Sequence, residues 1–392
     1  MFSTKGEHTL FFIFFMAGIY LHIPFCKRRC IYCDFYSTTQ GEQADRYIRA
    51  LCEELKQRKD YIRDETVETI YLGGGTPSQL QEPHFKALFD TLYTYYHIEK
   101  DAEITIEANP DDLNTSYILM LRRFPFNRLS MGIQTFNDNT LSLLHRRHTA
   151  RQAIEAYEAC RKAGFGNISI DLMYGLPGET LASWKADLQQ ALALHPEHIS
   201  AYHLIYEEGT PLWKLREAHR VDEIDEDLSV SLFAELIHTL KAAGYEHYEI
   251  SNFCLPGKYS RHNSSYWTGK VYLGCGASAH SYNGNSRQWN VASLARYMQG
   301  IESCQPDFEL EELDLYTRYN DFIITSLRTA WGMSLPRLEK EFGKELYAYC
   351  LKQAMPHLQQ QTLQQTGDIL KLTEKGIFIS DGIMSDLLWV ED

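Results

Sequence analysis

His22-Ile23-Pro24-Phe25-Cys26-Lys27-Arg28-Arg29-Cys30-Ile31-Tyr32-Cys33-Asp34-Phe35 sets three cysteines three and then two residues apart. Thiolates at this density are the usual ligands of iron–sulfur clusters. A cubane cluster has four irons and this loop offers three ligands, so one iron is left open, as catalytic metal sites keep a position for a reactant. Two plainer readings compete on spacing alone. One takes the cysteines as half of a zinc site, although no second Cys or His pair follows at zinc-finger spacing; the other takes them as part of a disulfide framework, although nothing else looks secreted. The apolar run Gly18 to Phe25 ahead of the loop reads as a buried strand that delivers it.

Working outward, the chain alternates strand and helix patterns. Residues 45–60 form a helix with Tyr47, Ile48, Leu51 and Leu55 on one face. Val67 to Leu72 is a strand that ends in Gly73-Gly74-Gly75-Thr76-Pro77-Ser78. By itself a glycine run is a tight turn; directly after a strand it also lets backbone approach a ligand. A helix over 84–96 leads to the strand Ala102 to Asn109, stopped by Pro110, with Glu107 at its carboxyl end. Asn127 to Phe136 is a short buried strand with Gln134 at its exit, and Arg146 and Arg147 follow at a helix end. A helix over 151–163 closes at Gly164. Residues 167–174 form a strand that Asp171 interrupts with a charge, costly in a buried strand unless paired. A helix over 184–194 precedes a sixth strand, 198–205. Six strand-then-helix units mean a parallel sheet, and polar residues at carboxyl ends are what α/β barrels provide. Spacing alone does not separate a partial barrel from an open doubly wound sheet.

The C-x3-C-x2-C loop behind H-I-P-F resembles the radical S-adenosylmethionine (SAM) superfamily, in the branch that holds oxygen-independent coproporphyrinogen III dehydrogenases and heme chaperones. The resemblance covers nearly the whole chain from Met16. It implies a partial (β/α)6 TIM-type barrel with a smaller, mostly helical, winged-helix-like C-terminal domain. It implies a [4Fe-4S] cluster on Cys26, Cys30 and Cys33, whose open iron chelates SAM and whose electron cleaves it to a 5′-deoxyadenosyl radical. It assigns SAM to Tyr20, to the G-G-x-T-P-type loop at Gly74, Gly75 and Thr76, to Glu107, to Gln134 and Arg146 twelve positions on, and to Asp171 in D-L-M-Y-G-L-P. The dehydrogenases carry a further cysteine two positions after the third; this chain has Phe35 there. The chaperones carry H-N-x-x-Y-W, intact here as His262-Asn263-Ser264-Ser265-Tyr266-Trp267. Imidazole is a standard iron ligand, so His262 is the expected axial ligand of heme, with Tyr266 and Trp267 as ring contacts. Without the resemblance, the same crowd of His, Tyr and Trp is a packed aromatic corner.

The expected function is therefore a radical SAM heme chaperone that hands heme to respiratory hemoproteins. The alternative is decarboxylation of coproporphyrinogen III, which Phe35 opposes. Either needs a flavodoxin- or ferredoxin-type electron donor. The resemblance leaves room for a dimer and for peripheral membrane association through a client.

The expected domains are 16–250 for the barrel, 251–312 for a linking segment with the H-N-x-x-Y-W stretch, and 313–392 for the C-terminal domain. From about residue 314 the pattern turns to helices over 316–330, 335–342 and 344–355 and a strand pair near 369–372. A winged-helix pattern suggests nucleic-acid binding, but that segment is acidic and the chain carries a net charge of −14, so a lid or docking role is expected instead. The mean hydropathy is −0.36. Nine cysteines, six of them isolated, read as reduced thiols of a cytoplasmic protein. Leu10 to Ile19 is apolar like a signal-peptide core, yet too short to span a membrane. Residues 1–15 are expected to be an upstream extension outside the fold, with Met16 as the natural start.

Overall fold

The computed structural model describes residues 16–62 and 65–390; the extension expected over 1–15 lies outside them. Six parallel strands, β1 (Met16–Ile23), β2 (Thr66–Gly74), β3 (Ile98–Ala108), β4 (Arg128–Gln134), β5 (Ile168–Tyr174) and β6 (His198–His203), lie side by side in chain order. The crossovers carry α1 (Ala44–Gln57), α2 (Glu82–Tyr95), α3 (Thr115–Leu121), α4 (Asp138–Leu143), α5 (Ala150–Lys162) and α6 (Leu181–Ala193). This is the partial barrel expected from the sequence.

The two faces of the strands explain the barrel. Successive side chains point to opposite faces. Ile19, Leu21, Ile70, Leu72, Ile104, Ile106, Leu129, Met131, Ile170 and Leu172 belong to the main apolar core with the helices. The residues between them, Tyr71, Glu107, Ser130, Ser169, Asp171 and Ser200, turn the other way and line a cavity inside the sheet. The inner face is thus polar, and the strands are held together by the apolar layer outside it.

Beyond β6 come α7 (Pro211–Glu217) and α8 (Glu226–Ala242), then β7 (Glu246–Glu249), β8 (Asn252–Cys254), α9 (Arg261–Thr268), β9 (Tyr272–Cys275), β10 (His280–Tyr282), β11 (Ser286–Asn290), α10 (Leu294–Glu302) and β12 (Phe308–Glu312). These strands extend both edges of the same sheet. β8 joins β6 antiparallel, and β9 joins β1 parallel and starts an antiparallel run to β12. Residues 251–312, expected to be a link between domains, are therefore part of the barrel's own sheet. Three to five residues per strand, without clean alternation, leave too little pattern to read in sequence.

The C-terminal unit has its own core around Tyr319, Ile323, Leu338, Leu346 and Leu370. It consists of α11 (Leu315–Leu327), α12 (Leu335–Gln359) and a three-stranded antiparallel sheet, β13 (Met333–Ser334), β15 (Ile369–Leu372) and β14 (Leu363–Thr366) in spatial order, followed by two short helices. Gly343 sits inside α12 with φ +82, which breaks it where two separate helices were expected. Among the described residues no helix is long and apolar enough to cross a membrane.

Candidate functional site

The cysteine loop lies across the carboxyl ends of the strands. His22, the last inward residue before it, fixes its base: Tyr20 OH and His22 Nδ1 are 3.1 Å apart, and His22 Nε2 and the Tyr36 carbonyl 2.9 Å apart. Burial holds the His22 ring neutral, with a pKa lowered to about 4. Backbone bonds from Cys26 to Thr38 (2.8 Å) and from Thr38 to Pro24 (2.7 Å) close the loop's neck. Cys26, Cys30 and Cys33 all line the barrel cavity, a space of about 410 Å3. Thr76 Oγ1 donates to Cys26 Sγ (3.3 Å) and Arg146 Nη1 to Cys30 Sγ (3.5 Å). The Thr76 contact favours the Cys26 thiolate, whereas burial pushes the Cys33 thiol up to about 11 and Cys26 up as well. A cationic metal group among them reverses that preference.

Among the described residues no three His, Cys, Asp or Glu side chains converge on a point that holds a single metal ion. The three thiols face one cavity, and a [4Fe-4S] cluster takes one thiolate at each of three corners. The donor set therefore fits the cluster that the cysteine spacing implies.

The glycine loop at the end of β2 lines the cavity on one side and packs against the chain on the other, too closely for any side chain. A Cβ on Gly74, whose φ is +106, would lie 2.5 Å from the His22 ring, and one on Gly75 would lie 2.7 Å from the Pro24 backbone. The Gly74 N–H donates to Glu107 Oε2 (3.1 Å) and Tyr71 OH to Oε1 (2.8 Å). Burial nevertheless raises Glu107 to about 7. Asp171, across the cavity, is raised to about 6 by burial, opposed by the charge of Arg128 and by Ser130, whose hydroxyl lies 3.3 Å from both carboxylate oxygens.

Gln134 leaves β4 at a register shift against β5, with φ +73. A non-glycine residue there is uncommon and carries strain. Arg146 Nη2 donates to the Gly132 carbonyl (2.5 Å) and to Asn109 Oδ1 (2.8 Å), and Asn109 Nδ2 donates to Thr76 Oγ1 (3.3 Å). Its neighbour Arg147 pairs with Asp111 (2.7 Å) and Asp112 (3.2 Å) instead. The structure thus brings Gly74, Gly75, Thr76, Glu107, Gln134, Arg146 and Asp171 to one cavity with the three cysteines. Tyr20 is not among the lining residues; its hydroxyl is spent on His22, and Tyr71, one strand over, faces the cavity in its place. Tyr71, Asn109, Ser130 and Arg128 were not singled out in sequence. Three of them lie two or four positions from an assigned residue on the same strand face or its extension, which is the signal that could have found them.

The expected heme ligand, His262, is placed differently. It is the second residue of α9, where Glu103 holds the helix start: its carboxylate accepts from the backbone N–H of Arg261 (3.1 Å) and of His262 (3.0 Å). The ring is buried at 1% exposure and stacks on Tyr71. Gly18 makes room for it, since a Cβ there would lie 3.3 Å from the ring. Nδ1 bonds to Thr69 Oγ1 (2.8 Å) and Nε2 to Tyr266 OH (2.9 Å). Both nitrogens are engaged, so in this conformation His262 offers no free nitrogen to iron. Burial keeps it neutral, with a pKa lowered to about 3. Asn263, the next residue, lines the barrel cavity, whereas Tyr266 and Trp267 line a second cavity of about 340 Å3 with Tyr272, Arg287, Arg318, Arg337, Phe322 and Phe342. Phe35, where the dehydrogenases carry a cysteine, is 65% exposed at the mouth of the first cavity.

A six-stranded partial barrel with cysteines and a glycine cradle at its carboxyl rim defines a protein of the radical SAM class. Residues 20–191 match the Radical SAM superfamily model, and residues 313–379 match the HemN C-terminal domain. The chain is 33% identical to the heme chaperone HemW of Lactococcus lactis over 94% of its own length and 96% of that protein. It is 35% identical to the heme chaperone HemW of Bacillus subtilis over 84% and 88%. The crystal structure of Escherichia coli coproporphyrinogen III oxidase (HemN), described as a radical SAM enzyme, shares the fold with a TM-score of 0.82 at 24% identity, covering 95% of this chain and 89% of that one. The chain belongs to the HemW family of the radical SAM superfamily.

Proposed function

We propose that this protein is a radical SAM heme chaperone: it holds a [4Fe-4S] cluster on Cys26, Cys30 and Cys33, binds SAM against the glycine cradle, binds heme and passes it to a respiratory hemoprotein. The observation that carries the reading is the intact H-N-x-x-Y-W stretch in a chain whose full-length relatives are named heme chaperones. When bound, the cluster supplies one electron to SAM, delivered in the cytoplasm by a flavodoxin- or ferredoxin-type donor. The chain's own part is positional. Gly74 and Gly75 admit the ligand's backbone-facing edge, Glu107 and Asp171 supply negative charge for the cationic amine and sulfonium, and Arg146 orients Thr76 through Asn109.

The aromatic wall of Tyr266, Trp267 and Tyr272 suits the face of a flat macrocycle, and the arginines around the second cavity suit its carboxylates. His262 then acts by holding Tyr266, and ligation through His262 would require it to release Thr69 or Tyr266. Client-mediated contact with a membrane and a dimeric state belong to the same reading.

The test is anaerobic incubation of reconstituted protein with SAM, reductant and coproporphyrinogen III, beside a heme titration. Saturable heme binding with no tetrapyrrole turnover supports the chaperone. Formation of protoporphyrinogen IX makes the protein a dehydrogenase in spite of Phe35.

A further inference from the structure

The barrel cavity runs deeper than the residues assigned to SAM account for. At its floor stands Arg128, the first residue of β4, 1% exposed and lining the same cavity as the three cysteines. Its Nε and Nη2 are buried and make no hydrogen bond. The carboxylate paired with it, Glu103, is 4.0 Å from Nε. Both Glu103 oxygens are already taken by the backbone N–H groups of Arg261 and His262 at the start of α9.

A guanidinium has five donors in a fixed fork and is always charged. With two of its nitrogens buried and unbonded, it forfeits part of its hydration, and the charge of Glu103 at 4.0 Å and of Asp171 across the cavity returns only part of it. The geometry that satisfies it is a carboxylate presented edge-on, with two parallel N–H···O bonds. Besides Asp171 and Glu107, the cavity lining carries Tyr202 and Asn263 and the serines Ser130, Ser169 and Ser200, whose hydroxyls bond to Asp171, His198 and Asn252. The carboxylates that face this space from neighbouring strands are engaged elsewhere. Glu103 caps α9, Asp171 accepts from the Ser130 hydroxyl and shares only a through-space attraction with Arg128, and Glu107 takes Tyr71 and Gly74.

We infer that the floor of the barrel is a binding subsite for a carboxylic acid, with Arg128 receiving the carboxylate and the serines and Asn263 surrounding it. A small organic acid seated there carboxylate-down extends its other end toward the level of Asp171 and Gln134, where SAM is placed by the reading above. The subsite itself rests on the barrel alone and not on heme. It gives the radical SAM machinery a substrate of its own class, separate from any tetrapyrrole held beyond α9.

The experiment uses the full chain and two carboxylate probes, sodium propionate and sodium succinate, with propionamide as the neutral control. Thermal unfolding and calorimetry are followed for the wild type, Arg128→Lys and Arg128→Gln. The subsite predicts saturable binding and a raised melting temperature with propionate or succinate and none with propionamide. Arg128→Lys keeps a weakened response and Arg128→Gln loses it. Arg128→Gln must melt cooperatively without ligand; if it does not fold, the comparison rests on Arg128→Lys, whose affinity is expected to fall severalfold. A wild type that ignores both carboxylates, or variants that respond as the wild type does, overturns the inference. Neither result bears on heme titration, so failure here and failure of the chaperone reading are told apart.

Discussion

Two carboxylates set the pH behaviour of the candidate site. Glu107 and Asp171 are raised by burial to about 7 and about 6. In the folded protein each therefore holds its proton to a higher pH than in the unfolded chain, where acids titrate near 4. Stability of the ligand-free protein falls as pH rises through that window. A cationic ligand needs both groups ionised, so its affinity moves the opposite way. SAM binding measured by calorimetry is expected to weaken about tenfold from pH 8 to pH 6, and a flat profile would remove the two acids from the site. His262 makes a second case at this scale. With both nitrogens bonded in a buried site, His262→Ala is expected to cost about 3 kcal/mol of stability while the Soret band of bound heme keeps its position. A lost or shifted band would restore His262 as the iron ligand. The ligand role was a natural expectation from sequence, because imidazole in a motif carries no mark of what its nitrogens touch. Glu103 and Thr69, which hold its backbone and its ring, lie more than 150 positions away.

At the scale of elements, the strand ends were legible and the strand interiors were not. Glu107, Gln134 and Asp171 stood out because each interrupts or ends an apolar run. Ser130, Tyr71 and Arg128 did not, because polar residues within a strand read as the solvent face of a sheet. Closing the sheet into a partial barrel makes that face an interior. The loop at the end of β2 was expected to bring backbone close to a ligand, and the structure adds a second reason for its glycines: His22 lies behind Gly74 and Pro24 behind Gly75. Gly74→Ala combines a positive φ with a clash, costing about 1–2 kcal/mol of backbone strain alone. SAM affinity is expected to fall by about tenfold or more, with the cluster's visible absorption retained. Loss of the cluster as well would mean that the loop supports the cysteines rather than the ligand.

For the molecule as a whole, the C-terminal unit is fastened to the barrel by polar contacts. Arg328 of α11's end reaches Glu249 of β7 (2.9 Å), Arg287 of β11 reaches Asp321 of α11 (2.9 Å), and Lys241 of α8 pairs with Glu374. Glu249 has a side chain only 1% exposed and also holds Asn252 (2.6 Å). Removing one partner of a buried pair strands the other. Glu249→Ala is expected to cost about 3–5 kcal/mol and to split thermal unfolding into two transitions in calorimetry. A single unshifted transition would show that the apolar contacts alone hold the two parts together. The seam was invisible in sequence, where acidic and basic residues so far apart give no hint of meeting.

Helix α9 has two addresses. Its Asn263 borders the space of the cysteines, and Tyr266 and Trp267 border the space toward α11 and α12. Between them, His262 stacks on Tyr71 of the first space and bonds to Tyr266 of the second. Occupancy of one chamber that moves this partition is registered in the other, and thermodynamic reciprocity makes the message run equally both ways. The same eight residues would then make the filling of the two chambers answer to each other.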